Sequence, residues 1–71
     1  MRHPIAIWRD KKNLTQEQAA DQFDTASALI SQIETGVRGV GKVLGRKIDT
    51  ATNGELAYAD LILFEWPKEA A

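Results

Sequence analysis

Cysteine is absent from this chain of 71 residues, and histidine occurs only once. The missing cysteine excludes a disulfide framework and a thiolate metal site, and the single His3 has no second histidine with which to complete a metal site. We expect His3 to be solvated near the N-terminus, and we expect neither a metal nor a cofactor. Because serine, cysteine and histidine do not form the pairs used in nucleophilic catalysis, the protein is not expected to be an enzyme.

Long apolar runs are also missing. No segment approaches the roughly 18 apolar residues that a membrane-spanning helix needs. The opening "MRHPIAIWRDKK" has only four apolar residues in a row before charged residues follow, which is too short for a signal peptide. We therefore expect a soluble, cytoplasmic protein that folds as one domain over residues 1–71, with a small core.

The formal net charge of −1 hides an uneven distribution along the chain. Residues 1–47 hold eight Lys or Arg against five Asp or Glu, a balance of +3, whereas residues 48–71 have a balance of −4. The N-terminal two-thirds is therefore the part that can meet a polyanion. An ordinary solvated surface is the competing interpretation of the same charges.

Start and stop signals predict the first two helices. A helix over residues 4–12 begins with Pro4, which suits a first helical turn, and is broken at Asn13. The second helix begins after Thr15, which forms a capping-box pattern (T-x-x-Q) with Gln18.

The sequence "DTA" separates the second helix from the third. Asp24 suits a left-handed turn position, Thr25 is expected to cap the third helix, and Gly36 ends that helix after about Thr35. The apolar residues that we expect these two helices to bury are Ala19, Ala20, Phe23, Leu29, Ile30 and Ile33.

Two further elements follow a glycine-rich loop. A fourth helix is predicted over residues 41–52, before an Asn-Gly turn signal. Residues 57–64 favour a fifth helix with Tyr58 and Leu61 or Ile62 inside, although 57–66 also suits a strand because periodicity cannot type so short an apolar run. The predicted fold is all-α, a compact bundle of four to five short helices, with a strand as the alternative for the C-terminal element. The residues expected to form the inner stripe of the fourth helix are Val43, Leu44, Ile48 and Ala51.

The second and third predicted helices, over residues 15–35, have the spacing of a helix-turn-helix unit. In such a unit the second helix lies in the major groove of DNA, where short polar side chains and a longer donor meet the base edges. Gln32 supplies the longer donor, because a carboxamide can bond adenine at two positions, and alanine methyls can touch thymine methyls. The residues expected to face the groove are Ser27, Ala28, Ser31 and Gln32.

The stretch "LTQEQAADQFDTASALISQIETG" resembles the Cro/repressor (XRE-like) family of helix-turn-helix regulators of phages and bacterial chromosomes. The family pattern "L-S/T-Q-E-x-L-A-x-x-x-G-V-S-x-x-x-I-S-x-I-E-x-G" aligns without a gap. The matching positions are Leu14, Thr15, Gln16, Glu17, Ala20, Ile30, Ser31, Ile33, Glu34 and Gly36. The later stretch "GRKIDTATNGELAYADL" is similar to the ending of small Cro-like proteins, in which the last element helps the chain to dimerise.

The resemblance implies roles for particular residues. Gln16 matches a glutamine that bonds a phosphate and braces the recognition helix, and Arg9 and Glu34 match an ion pair that ties the first helix to the end of the third. Arg38 lies in a loop that often contacts the DNA backbone, and Lys42 adds a phosphate contact at the start of the fourth helix. The expected DNA-binding residues are Gln16, Thr25, Ser27, Ala28, Ser31, Gln32, Arg38 and Lys42.

Three positions depart from the family pattern. Asp24 stands where the family prefers glycine, and it adds a negative charge near the turn. Ala26 stands where serine usually caps the third helix, so the cap is expected to move to Thr25. Ala19 replaces a usual leucine, which thins the core.

The resemblance implies a sequence-specific DNA-binding transcriptional regulator, a phage- or prophage-type Cro-like repressor that binds a near-palindromic operator as a homodimer. Phe64 and Trp66 either cover the core or form the dimer interface, and we favour the interface, in a C-terminal dimerisation element over residues 55–66. Two alternatives stay open: a DNA-binding antitoxin, or a protein-interaction module that has lost DNA binding. No small-molecule ligand is expected.

Overall fold

Five short helices form all the regular structure of residues 2–66, the part of the chain that the computed structural model describes. They are α1 (Pro4–Lys11), α2 (Gln16–Gln22), α3 (Ser27–Glu34), α4 (Lys42–Ala51) and α5 (Tyr58–Leu63). The predicted all-α fold is thus confirmed for these residues. Of residues 57–66, which suited either a helix or a strand, Tyr58–Leu63 form the helix α5 and residues 64–66 have no regular structure. The bundle is compact, with a radius of gyration of 11.2 Å.

Left-handed residues end three of the helices. Asn13, Asp24 and Asn53 have φ values of 56°, 54° and 53°, in a region that asparagine and aspartate tolerate better than most side chains. Gly36 has a φ of 85° just after the end of α3, where a residue without a Cβ has no steric penalty. Each of these residues follows the end of a helix, as predicted for Asn13, Asp24 and Gly36.

The start of α2 is capped and the start of α3 is not. The Thr15 hydroxyl accepts the Gln18 N–H at 3.1 Å, and the Gln18 side chain accepts the Thr15 N–H at 2.8 Å, which completes the predicted capping box. The prediction that Thr25 caps α3 is wrong, because Ala26 is the N-cap residue and no side chain caps the helix. The Thr25 N–H instead bonds the Ala20 carbonyl oxygen at 2.9 Å, within the turn that closes α2.

The core is built mainly from α1, α2 and α3, with additions from the C-terminal helices. The largest fully buried side chains are Phe23, Ile5, Ile30, Ile33 and Ile48. Ala19 and Ala20 are also buried, so α2 packs closely against α3 across small side chains. Trp8 of α1 lies against Phe23 with ring centroids 5.5 Å apart. The apolar face predicted for α2 is therefore correct.

The predicted inner stripe of α4 is wrong at two positions. Val43 is 73% exposed and Ala51 is also exposed. The buried positions include Gly45, where an added Cβ would lie 3.2 Å from Tyr58 Cδ2 and 3.3 Å from Ile62 Cδ1. Because glycine has no side chain, α5 approaches α4 closely at this point, and Gly45 and Ile48 lie on the inner side of α4.

The prediction that His3 is solvated is also wrong. His3 is only 3% exposed and serves as the N-cap of α1, where its side chain accepts a hydrogen bond from the Ile5 N–H. A histidine next to Pro4 has both the position and the acceptor atom that an N-cap needs. Its burial follows from contacts with residues 64–66, which lie far away in sequence.

Because Ala26 already has the extended backbone of an N-cap (φ −84°, ψ 142°), a serine there can cap α3 without rearrangement. We expect Ala26→Ser to raise the free energy of unfolding by about 1 kcal/mol, since its hydroxyl would satisfy a free N–H. Urea unfolding measures the change. Ala51→Ser, at an exposed position with no capping role, is the control; an equal gain in both variants would contradict the explanation.

Candidate nucleic-acid interface

Helix α3 is anchored on one side and open on the other. Ile30 and Ile33 are fully buried, and Leu29 is partly buried against the same cluster. Ala28 and Gln32 are exposed, while Ser27 and Ser31 keep part of their surface exposed. The residues that were expected to face DNA therefore lie away from the core, together on the outer side of one helix.

An ion pair joins α1 to the last residue of α3. Arg9 Nε donates to Glu34 Oε2 at 2.9 Å and Arg9 Nη2 donates to Glu34 Oε1 at 3.0 Å, so the contact is bidentate. The two side chains are only 16% and 9% exposed. The hydrogen bond that Arg9 donates to Glu34 raises the pKa of Arg9, so the guanidinium is charged in the folded protein. The remaining guanidinium nitrogen, Nη1, donates to the Leu14 carbonyl oxygen at 2.9 Å.

Gln16 joins the same ion pair from the start of α2. Its Nε2 atom donates to Glu34 Oε1 at 3.3 Å. One carboxylate therefore holds a guanidinium from α1 and a carboxamide from α2 at the end of α3. Gln16 remains partly exposed, so its contact with α3 leaves part of the side chain open to solvent.

The loop after α3 carries exposed cations. Arg38 and Lys42 are exposed, and neither forms an ion pair within residues 2–66. The backbone N–H groups of Val37 and Arg38 both donate to the Gln32 carbonyl oxygen, at 2.9 and 3.2 Å. These two hydrogen bonds hold the loop to Gln32, the residue that was expected to lead the base contacts. Arg38 makes one of them through its own backbone N–H.

The acidic turn residue has a basic neighbour that the sequence pattern did not indicate. Lys47 Nζ lies 3.5 Å from Asp24 Oδ2 and 3.5 Å from the Asp24 carbonyl oxygen. The two residues are 23 positions apart, so no local motif connects them. This exposed pair adds little to stability, but it offsets the negative charge that Asp24 places beside α3. Thr25 lies in the same turn and is partly exposed.

Phe64 and Trp66 lie against their own chain. The Phe64 ring meets His3 edge-on at a centroid distance of 4.7 Å, and the Trp66 ring lies 5.2 Å from Phe64 in a T-shaped arrangement. Both residues keep part of their surface exposed. Their contacts match the first of the two roles weighed above, covering the core, and their role in a dimer interface stays a prediction.

No group of three or more His, Cys, Asp or Glu side chains in residues 2–66 is placed to hold a metal ion. In the same residues no helix combines the length and the apolar character needed to cross a membrane.

Comparison with known proteins returned no match, whether to a family model, to a curated protein or to a solved structure.

The contrast between two arginine–carboxylate pairs tests the anchoring role of Arg9. We expect Arg9→Ala to lower the free energy of unfolding by about 3 kcal/mol, because it leaves the Glu34 carboxylate mostly buried without its cation. Arg2→Ala is the matched control, since Arg2 pairs with Asp10 and both side chains are 52% exposed. Equal losses for the two variants in urea unfolding would show that Arg9–Glu34 is an ordinary surface pair.

Proposed function

We propose that the protein is a sequence-specific DNA-binding regulator of transcription in which α2 and α3 act as a helix-turn-helix unit. The observation that carries the proposal is the construction of α3. Its inner face is locked by Ile30 and Ile33, its end is held by Glu34, and its outer face presents short polar and methyl groups around one long carboxamide.

The outer face of α3 suits the major groove. That groove, about 12 Å wide, admits one helix, whose side chains then reach base edges. The exposed Gln32 carboxamide can donate to N7 and accept from N6 of adenine, and the exposed Ala28 methyl can contact a thymine methyl. Small groups at Ser27 and Ser31 allow the helix backbone to approach the bases.

Groups beside α3 are suited to contact the phosphates. Arg38 and Lys42 are exposed cations without an acidic partner in the described part of the chain, and α4 begins at Lys42 with no side-chain cap on its free N–H groups. A helix N-terminus of this kind attracts phosphate. Gln16 stands at the start of α2 with part of its side chain open. Such contacts fix register and orientation, while α3 reads sequence.

As a Cro-like repressor, the protein would act by occupying promoter DNA. A homodimer formed through residues 55–66 would place two copies of α3 about 34–36 Å apart on a near-palindromic operator. Repression of this kind needs only DNA occupancy, so a second ligand or a catalytic site is not required.

A second candidate function rests on exposed aliphatic side chains. Val37, Val43 and Leu63 are 72%, 73% and 76% exposed. Where such side chains adjoin one another they favour a protein partner, as in an antitoxin that binds its toxin or an interaction module without DNA. Measurements of DNA affinity distinguish a regulator from an interaction module, because a pure protein-interaction module has no salt-dependent affinity for duplexes.

Two lysines test the phosphate contacts. A duplex selected by the protein from a random pool is titrated in fluorescence anisotropy at several salt concentrations. We expect Lys42→Ala to weaken binding and to reduce the slope of log affinity against log salt by about 0.9, the value for one lost phosphate contact. Lys12→Ala is the control, because Lys12 is also exposed but pairs with Glu55, 3.0 Å away, beside the turn before α5. The absence of wild-type binding at low salt would refute the proposed function.

Gln32→Ala tests base reading. If the Gln32 side chain bonds adenine at two positions, its removal should lower discrimination at one base pair of the selected site by about tenfold. Affinity for unselected duplex should stay close to the wild-type value, because phosphate contacts remain. Competition titrations with duplexes substituted at single positions give the affinity for the selected duplex relative to each substituted one. Gln22→Ala, an exposed glutamine of α2 outside the proposed contacts, is the control; unchanged discrimination at every position in Gln32→Ala would exclude Gln32 as a base reader.

A further inference from the structure

His3 is a buried polar residue for which the proposed DNA interface has no direct use. It is 3% exposed, and its Nδ1 atom accepts the Ile5 N–H at 3.1 Å as the cap of α1. An acceptor at Nδ1 requires the neutral imidazole with its proton on Nε2. The cap bond therefore depends on the protonation state of one side chain.

The His3 ring also holds distant parts of the chain together. Phe64 meets it edge-on at 4.7 Å, and Trp66 lies 6.0 Å away, with both distances taken between ring centroids. The Trp66 indole in turn lies beside the exposed Gly36, where an added Cβ would lie 3.2 Å from Trp66 Nε1. His3 thus connects the start of α1, residues 64–66 and the loop that follows α3. These contacts form what we call the latch: His3, Phe64, Trp66 and Gly36.

Protonation is incompatible with this arrangement. A proton taken from solvent onto Nδ1 would place two N–H donors face to face, and the cap bond to Ile5 would be lost. The new positive charge would also lie at the N-terminus of α1, where the helix dipole opposes it. Burial accordingly lowers the pKa of His3 below its ordinary value of about 6.5, so the imidazole is neutral at pH 7.

The charged groups around His3 do not remove the free-energy cost of protonating its ring. Glu34 of α3 attracts the protonated ring and raises the pKa of His3 in part, but its carboxylate is already held by Arg9. Arg38 of the loop after α3 lines the same cavity as His3 and carries a like charge. In the sequence, Glu65 lies between Phe64 and Trp66 and is exposed, and Arg2, next to His3, pairs with Asp10.

We propose that His3 is a pH-sensitive latch: the neutral imidazole holds residues 64–66 against the start of α1 and the loop after α3, and protonation releases them. The latch contributes stability that is complete above the ordinary histidine pKa and is lost as the pH falls through the lowered pKa of the folded state. Because Trp66 lies against Gly36, just after the end of α3, its release at acid pH removes a contact beside that helix. This effect on DNA affinity rests on the proposed function, whereas the latch itself does not.

The single histidine makes the test direct, because its ring protons report one titration. A two-dimensional NMR titration between about pH 7.5 and pH 5, where histidine is the side chain expected to titrate, follows His3 and both tryptophan indoles. We expect His3 to titrate below its ordinary value, with the Trp66 indole and Gly36 amide resonances shifting at the same midpoint. Trp8 packs against Phe23 in the core, so its indole is the internal control and should stay unchanged.

Three results would overturn the latch. The first is a His3 titration midpoint at or above the ordinary histidine pKa, and the second is a Trp66 resonance that does not follow His3. The third is a Trp8 resonance that shifts as much as that of Trp66, which would mean global unfolding. His3→Asn supplies a second test, because asparagine keeps a capping oxygen that does not titrate. The pH dependence of the Trp66 resonance should disappear in this variant, and its persistence would contradict the proposal.

Duplex binding measured at the two ends of the pH range separates the latch from the proposed function. The proposal predicts affinity that falls at the acid end in wild type and changes less in His3→Asn. Failure to bind DNA at either pH, with the Trp66 shift intact, would refute the proposed function and leave the latch standing. DNA binding with an unmoved Trp66 resonance would refute the latch alone.

Discussion

The contact between Arg9 and Glu34 is the constraint on which the arrangement of the first three helices depends. One carboxylate at the end of α3 accepts two hydrogen bonds from α1 and a third from Gln16 at the start of α2. Helix α3 is only eight residues long and has no side-chain cap at its start, so its own hydrogen bonds hold it weakly. The buried charge cluster at one end and the apolar side chains of its inner face fix its direction.

The small core makes this constraint more important. Ala19 and Ala20 let α2 lie close to α3, and Gly45 lets α5 lie close to α4, but side chains of this size bury little apolar surface. A domain of this length has a small margin of stability. Polar contacts at the helix ends therefore contribute more to fixing how the helices pack together. His3 is one of them, which is why a single proton can matter to the contacts made by residues 64–66.

Local sequence signals predicted most of the fold but few of its long-range contacts. The capping box at Thr15, the left-handed Asp24 and the inner face of α3 follow from residues within one turn of each other, and all were predicted. The pairing of Lys47 with Asp24 and the burial of His3 depend on residues far away in sequence, so no periodicity reveals them. Val43 shows a further limit: an apolar residue can occupy the outer side of a helix when a glycine provides the inner contact.

The central claim, that the outer face of α3 meets DNA, is tested most directly by mapping the interface at residue level. Amide chemical shifts of the ¹⁵N-labelled protein are followed while a duplex selected from a random pool is added at low salt. If the outer face of α3 binds DNA, the largest changes will occur in the amides of α3 and of the loop to Lys42, with α5 little affected. Largest changes in α5 and residues 64–66, or no changes at all, would contradict it.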